Sequence, residues 1–188
     1  MRVVGDIHGE VRTYKRALGD ATESLQLGDY GIFMPPDIDR LDAGPGHQFI
    51  RGNHDHPQLV KEAPGYVESG PWNGDWFVVG GGWSIDKAWR TPGYDWWPEE
   101  EHSEEELIQL VNEYVKRKPR IVVSHEGPPR AIEAMFSPKP YKPSRTSLTL
   151  GVMSNLHQPD LWIFGHWHQR AQFENFICLG IGDHIDVD

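Results

Sequence analysis

Five short stretches of this chain carry side chains able to hold a divalent cation. They are Gly5-Asp6-Ile7-His8-Gly9, Gly28-Asp29, Gly52-Asn53-His54-Asp55, Ser124-His125 and Gly165-His166-Trp167-His168. Asp6, His8, Asp29, Asn53, His125, His166 and His168 together offer nitrogen and oxygen donors enough for two neighbouring ions that share one carboxylate. Asp29 is the natural bridge, because each of its oxygens can face one ion. Asp6, His8 and His168 then complete one set of ligands, and Asn53, His125 and His166 the other. Mixed imidazole and hard-oxygen donors without a thiolate favour two divalent transition-metal ions, Mn first and Fe, Zn, Co or Ni after it, over Ca or Mg. The chemistry such a pair supports is hydrolysis. Any one stretch alone says little, since D-x-H and G-D occur freely by chance, and the ordered set carries the argument.

Something must bring these stretches together. Each follows an apolar, β-prone run, or a short turn after one, which is where α/β proteins present reactive groups. Residues 2–4 predict a first strand. Val11, Tyr14 and Leu18 fall on one face of a helix that Gly19 ends. Residues 24–27 predict a second strand, so the chain opens as a βαβ unit with parallel strands. Residues 34–46 read as a turn-rich loop with room for one helical turn. Asp37, Asp39 and Asp42 within it lack the Gly and distal Glu of a calcium loop. Strands are expected at 47–51, 75–80, 120–124 and 160–164, and a hairpin at 172–181. Ser103 and Glu106 form a capping box that opens a helix over 103–118, with Glu in its first turn and Lys or Arg in its last. Shorter helices are expected at 131–136 and 148–155, an exposed basic loop at 137–147, and an edge strand or tail at 183–188.

The composition bounds the class. At 188 residues, with 38% hydrophobic and 24% charged residues, one globular domain over residues 1–188 is expected. Eight Trp, seven Phe and six Tyr argue against disorder. No apolar run is long enough to span a bilayer, and the few residues before the first motif leave no room for a signal peptide, so a cytoplasmic setting is expected. The lone Cys178 excludes an internal disulfide and reads as a buried thiol. A net charge of −10 argues against extended nucleic-acid binding. It does not exclude a small phosphorylated substrate, because two divalent ions would reverse the local field. Oligomeric state is not legible.

The strings GDIHG, GD, GNHD, SH and GHWH resemble the calcineurin-like metallophosphoesterase superfamily over nearly the whole chain, and GGGWSIDKAWR with DWWPEE is similar to its small bacterial and bacteriophage members. The resemblance implies an α/β (α+β) four-layer αββα sandwich, two mixed β-sheets packed face to face with flanking helices. It implies a dinuclear metal centre whose bridging hydroxide attacks phosphomonoesters or phosphodiesters. By motif match the seven donors keep the metal roles given above, and His54 takes the place of the catalytic histidine, protonating the leaving oxygen. Asp55 is expected either to orient His54 or to serve the turn. Arg51 matches the arginine of phosphatases reading RGNHE and is a candidate phosphate contact. The stretch after Gly28-Asp29 lacks the second arginine of the large protein phosphatases, and Arg90, Arg130 and Arg145 are possible substitutes.

Three readings follow. A phosphodiesterase on a nucleotide-like molecule and a phosphatase on a monoester or phosphoprotein, in the manner of serine/threonine phosphatases, are close rivals. A non-catalytic interaction scaffold of the same fold is the third. Trp72, Trp76, Trp83, Trp89, Trp96 and Trp97 crowd one stretch. They serve packing, or one of Trp89, Trp96 and Trp97 stacks on an aromatic substrate.

Overall fold

The computed structural model describes residues 1–137 and 141–188. Lys139, part of the expected basic loop, lies outside the described residues. In chain order the elements are β1 (Arg2–Val4), α1 (Val11–Leu18), β2 (Ser24–Gln26), α2 (Pro35–Leu41), β3 (His47–Phe49), β4 (Gly70–Trp72) and β5 (Trp76–Val79). Then come α3 (Glu104–Arg117), β6 (Ile121–Ser124), α4 (Pro129–Phe136), α5 (Arg145–Leu156), β7 (Leu161–Phe164), β8 (Ala171–Phe173), β9 (Phe176–Cys178) and β10 (His184–Asp186).

Two mixed sheets result. The smaller has the order β10-β1-β2-β3, with β1, β2 and β3 parallel and β10 antiparallel to β1. The larger has the order β4-β5-β6-β7-β9-β8, parallel from β5 to β9 with an antiparallel strand at each edge. Alternation along the strands sorts side chains to two faces. Val78, Val123 and Ile163 join Val3, Leu25 and Ile50 in a core between the sheets. Their neighbours Phe77, Val79, Val122, Trp162 and Phe164 face outward, where Leu107, Leu110 and Tyr114 of α3, Ile132 of α4 and Leu150 of α5 cover them. On the other side Val4 and Phe49 pack with Tyr14 and Leu18 of α1 and Leu41 of α2. Three buried cores separate four layers, and the fold is the expected αββα sandwich. Cys178 is fully buried in the outer core of the larger sheet.

Two elements differ from the sequence reading. Residues 35–41 form a helix, where a loop with one helical turn was expected. Pro35 opens it, and the Asp37 carboxylate accepts the backbone N–H groups of Phe33 and Met34. Proline is tolerated in a first turn because its missing N–H has no intrahelical partner there. The strand Gly70–Trp72 was not expected. It pairs with β5 through a tight turn at Asn73 (φ 40°) and Gly74 (φ 77°), a hairpin geometry that needs positive φ. Among the described residues, no helix is long and apolar enough to cross a membrane.

Candidate metal centre

Both sheets present the carboxyl ends of parallel strands at one edge, and the five motifs meet there. Asp6 and His8 follow β1, Asp29 follows β2, and Asn53 and His54 follow β3 by a short turn. His125 comes directly after β6, and His166 and His168 close after β7. The glycines that precede the ligands are explained by this convergence. A Cβ on Gly52 would overlap the Asp29 carboxylate, and one on Gly165 would overlap Asp6 Oδ1. Each glycine therefore belongs to a different ligand's space from that of its own neighbour.

Four of these residues sit in left-handed backbone: His8 (φ 46°), Asp29 (φ 52°), His166 (φ 67°) and His168 (φ 54°). Such a conformation costs an L residue about 1–2 kcal/mol, and local hydrogen bonds hold it. His8 N–H donates to Asp29 O (2.8 Å), and His166 N–H donates to the Asp6 carboxylate (3.1 and 3.2 Å). Strain concentrated on chemically capable side chains marks a functional site.

The ligand atoms of Asp6, His8, Asp29 and His168 all lie within 4.8 Å of one another. His8 Nε2 is 2.9 Å from His168 Nε2, and His168 Nε2 is 3.3 Å from Asp6 Oδ2. A second group adjoins the first. Asn53 Oδ1 lies 2.8 Å from His125 Nε2 and 2.9 Å from His166 Nδ1. The Asp29 carboxylate stands between them, with Oδ1 3.4 Å from His125 Nε2 and Oδ2 3.7 Å from His8 Nε2. Asp29 Oδ2 is buried and has no hydrogen-bond partner among the described residues. Leaving a buried acceptor unsatisfied costs about 1–3 kcal/mol. That orphan oxygen, amid converging ring nitrogens, fits a divalent cation.

The electrostatics point the same way. Burial, and then the charges of Asp6 and Asp55, push the Asp29 carboxyl well above its ordinary range. Burial also raises Asp6, but the hydrogen bond from His168 and the nearby His125 and His166 outweigh it, and its net shift is downward. Burial lowers His8, and lowers His125 to about 3. Neutral imidazoles beside buried carboxylates are a donor set in want of positive charge. His168, on its hydrogen bond to Asp6, is shifted upward.

His54 stands at the edge of the cluster, its Nε2 4.0 Å from Asp29 Oδ2 and 3.2 Å from Arg90 Nη2. Burial, and then the Arg90 charge, lower it to about 3. Arg90 is held there by a two-pronged pair with Asp86, both contacts at 2.7 Å. Of the possible substitutes for a second arginine, Arg90 is therefore the one that reaches the site. Arg130 pairs with Glu174 at the surface, and Arg145 opens α5.

One expectation is narrowed and one is corrected. Of its two expected roles, Asp55 serves the turn and does not orient His54. Its carboxylate accepts the backbone N–H groups of Tyr30, Gly31, Ile32 and Gly52, so it ties the loop after β2 to the loop after β3. Arg51 is not offered to the ligand cluster. Its guanidinium is buried and donates to the carbonyls of Glu99 and Glu100. Of the three Trp offered for stacking, Trp97 serves packing, buried against His56. Trp89 is 91% exposed, and Trp96 is half-buried near the Lys87 ammonium.

Sequence reasoning missed three polar residues beside the cluster. Glu126 Oε2 lies 3.4 Å from His166 Nε2, and its other oxygen accepts the Trp167 indole N–H. Ser84 accepts from Asn53 Nδ2 and donates to Glu100. Glu126 directly follows a ligand, which was a usable signal. Ser84 and Glu100 belong to a segment without periodicity, and nothing in the sequence tied them to Asn53.

A search among curated proteins gave no match. A family model described as calcineurin-like phosphoesterase matches residues 2–170, and that span contains every ligand candidate. The chain belongs to the calcineurin-like phosphoesterase family.

Proposed function

We propose that this chain is a two-metal phosphodiesterase acting on a small, nucleotide-like phosphodiester, with manganese as the preferred ion. The observation that carries the reading is the placement of Asp29. Its two oxygens face two different ligand groups, His125 on one side and His8 on the other, as a bridging carboxylate requires. Two ions held here would neutralise phosphoryl charge and supply an activated water nucleophile. Asp6, His8 and His168 hold one of them with Asp29, and Asn53, His125 and His166 hold the other.

The protein's own groups do the remaining work. Arg90 brings a fixed positive charge to the edge of the cluster, where it can bind a phosphoryl oxygen. His54 faces the same place. An anion paired with Arg90 offsets the charge that adds to burial in disfavouring protonation of His54, and its own negative charge favours the imidazolium that donates to the leaving oxygen. One arginine suits the single negative charge of a diester better than the double charge of a monoester, because Arg51 is committed to carbonyls. The half-buried Trp83 and Trp96, with Lys87 Nζ 5.1 and 5.9 Å from their ring centres, offer apolar surface to an aromatic group.

The test is hydrolysis of bis-p-nitrophenyl phosphate against p-nitrophenyl phosphate by the manganese-loaded protein. The diester should show the higher kcat/KM. A tenfold preference for the monoester would overturn the diesterase reading and favour a phosphatase. No hydrolysis of either, with any of the five candidate metals, would favour a scaffold.

A further inference from the structure

Asn53 must present its carbonyl, and not its amine, to His125 and His166 if the second ligand group is to hold a cation. The two ends of an amide have nearly the same shape, so packing alone does not choose between them. A chain of hydrogen bonds does. Asn53 Nδ2 donates to Ser84 Oγ at 2.9 Å. Ser84 Oγ donates to Glu100 Oε2 at 2.5 Å, and Ser84 N–H donates to Glu100 Oε1 at 3.1 Å. Asn53, Ser84 and Glu100 are all 2% exposed or less, so water does not compete.

The direction of this chain follows from the donor inventory. A serine hydroxyl has one hydrogen. Glu100 takes it, and also takes the Ser84 backbone N–H. Ser84 therefore shows only lone pairs to Asn53, and the amine end must face it. The carbonyl is left pointing at His125 Nε2 (2.8 Å) and His166 Nδ1 (2.9 Å). A flipped amide would set oxygen against oxygen at Ser84.

We propose that Glu100 and Ser84 are positioning residues that set the Asn53 amide and thereby the affinity of the second metal position. The proposal rests on the two-metal reading above. Glu100 lies in the Pro98–Glu100 turn and Ser84 after the Gly80-Gly81-Gly82 run, so the irregular segment between β5 and α3 acts on the centre without touching a metal. Backing groups of this kind change metal affinity by about 10- to 100-fold.

Glu100→Gln is the discriminating variant, because it keeps the shape. The Gln carbonyl must take the Ser84 N–H, so its amine faces Ser84 Oγ and donates to it. The Ser84 hydrogen is then free to point at Asn53, and the flipped amide becomes the favoured one. A group that only fills space would be little affected by this change. The measurement is isothermal titration of metal-free protein with manganese, together with metal content after dialysis. Wild type should bind two ions per chain. Glu100→Gln and Ser84→Ala should bind the first with unchanged affinity and the second about 10- to 100-fold more weakly. Glu100→Gln should be at least as impaired as Ser84→Ala. Two ions bound by wild type and by Glu100→Gln with equal affinity would overturn the relay alone. A wild type that binds fewer than two would overturn the two-metal reading, and the relay with it. If Ser84→Ala fails to fold, Glu100→Gln still decides.

Discussion

The two halves of the centre are built differently. In the half made by Asp6, His8 and His168, Asp6 is buried and the two histidines reach toward solvent. His168 is 44% exposed at its side chain, and both histidines sit in strained backbone. In the half made by Asn53, His125 and His166, the first two are sealed and His166 is partly exposed. Asn53 and His125 are essentially without exposure, His125 Nδ1 bonds Leu27 O at 3.0 Å, and Asn53 is fixed through Ser84. Strained backbone is common to both halves, and the sealed side chains belong to one. Left-handed backbone holds His8 and His168 in the first half and His166 in the second, where buried side-chain hydrogen bonds also fix Asn53 and His125. Asp29 belongs to both.

The largest expected effect removes that shared group. Asp29→Ala should abolish stoichiometric binding at both positions and lower kcat/KM by at least about 10³, since two-metal chemistry supplies most of the transition-state charge stabilisation. Metal content by elemental analysis and steady-state hydrolysis check this. Retention of one tightly bound ion would mean that the halves are independent and that Asp29 does not bridge them.

The contrast also explains what the sequence could show. The convergence of the candidate ligands was legible because short Gly-Asp, Gly-Asn-His and Gly-His-x-His strings sit at strand ends, and their glycines encode the crowding of one motif against another. The central strands, the helix begun by Ser103 and the hairpin near residue 175 followed from apolar runs, periodicity and capping. The helix at 35–41 was hidden by its two prolines, although proline in a first turn followed by Asp37 was a start signal. The strand at 70–72 was hidden because Gly-Pro-Trp has no alternation. Arg51 was misread, and Asp55 left between two roles, because a motif fixes the position of a side chain and not its direction. The Ser84–Glu100 relay was invisible, since it joins common residue types across sequence distances of 16 and 31.

Next in size is the loss of His54. His54→Ala should lower kcat by about 10²–10⁴, the range for a removed general acid, with metal content unchanged. Loss of an ion in this variant would make His54 a ligand and redraw the boundary of the open half.

Acid separates the halves in the metal-free protein. His125, lowered to about 3 chiefly by burial, binds a proton more readily when unfolded. Its contribution to stability is present above the unfolded value of about 6.5 and is lost as pH falls from there toward 3. His168 is shifted upward by its hydrogen bond to Asp6. Its contribution is present below about 6.5 and is lost as pH rises through its folded value. His125→Gln should therefore flatten the fall of the melting temperature between pH 6.5 and about 4, and His168→Gln should leave that window unchanged and remove a gain in stability that wild type makes as pH falls toward 6.5 from above. Parallel melting curves for the two variants would mean that the halves do not differ in their protonation.

The smallest effect tests strain directly. His168 holds φ 54° with its side chain partly in solvent, so little packing is lost when the imidazole is removed. His168→Ala keeps the Cβ that makes this backbone costly, and His168→Gly removes it. Both variants lose the same ligand, so both should lose metal equally. In the metal-free state the glycine variant should nevertheless be more stable than the alanine variant by about 1 kcal/mol, read from denaturant unfolding. The usual order for exposed positions is the reverse, because glycine has more conformational freedom to lose on folding. The alanine variant proving the more stable would show that the open half is not under backbone strain, and its rigidity would then need a side-chain explanation like that of Asn53 and His125.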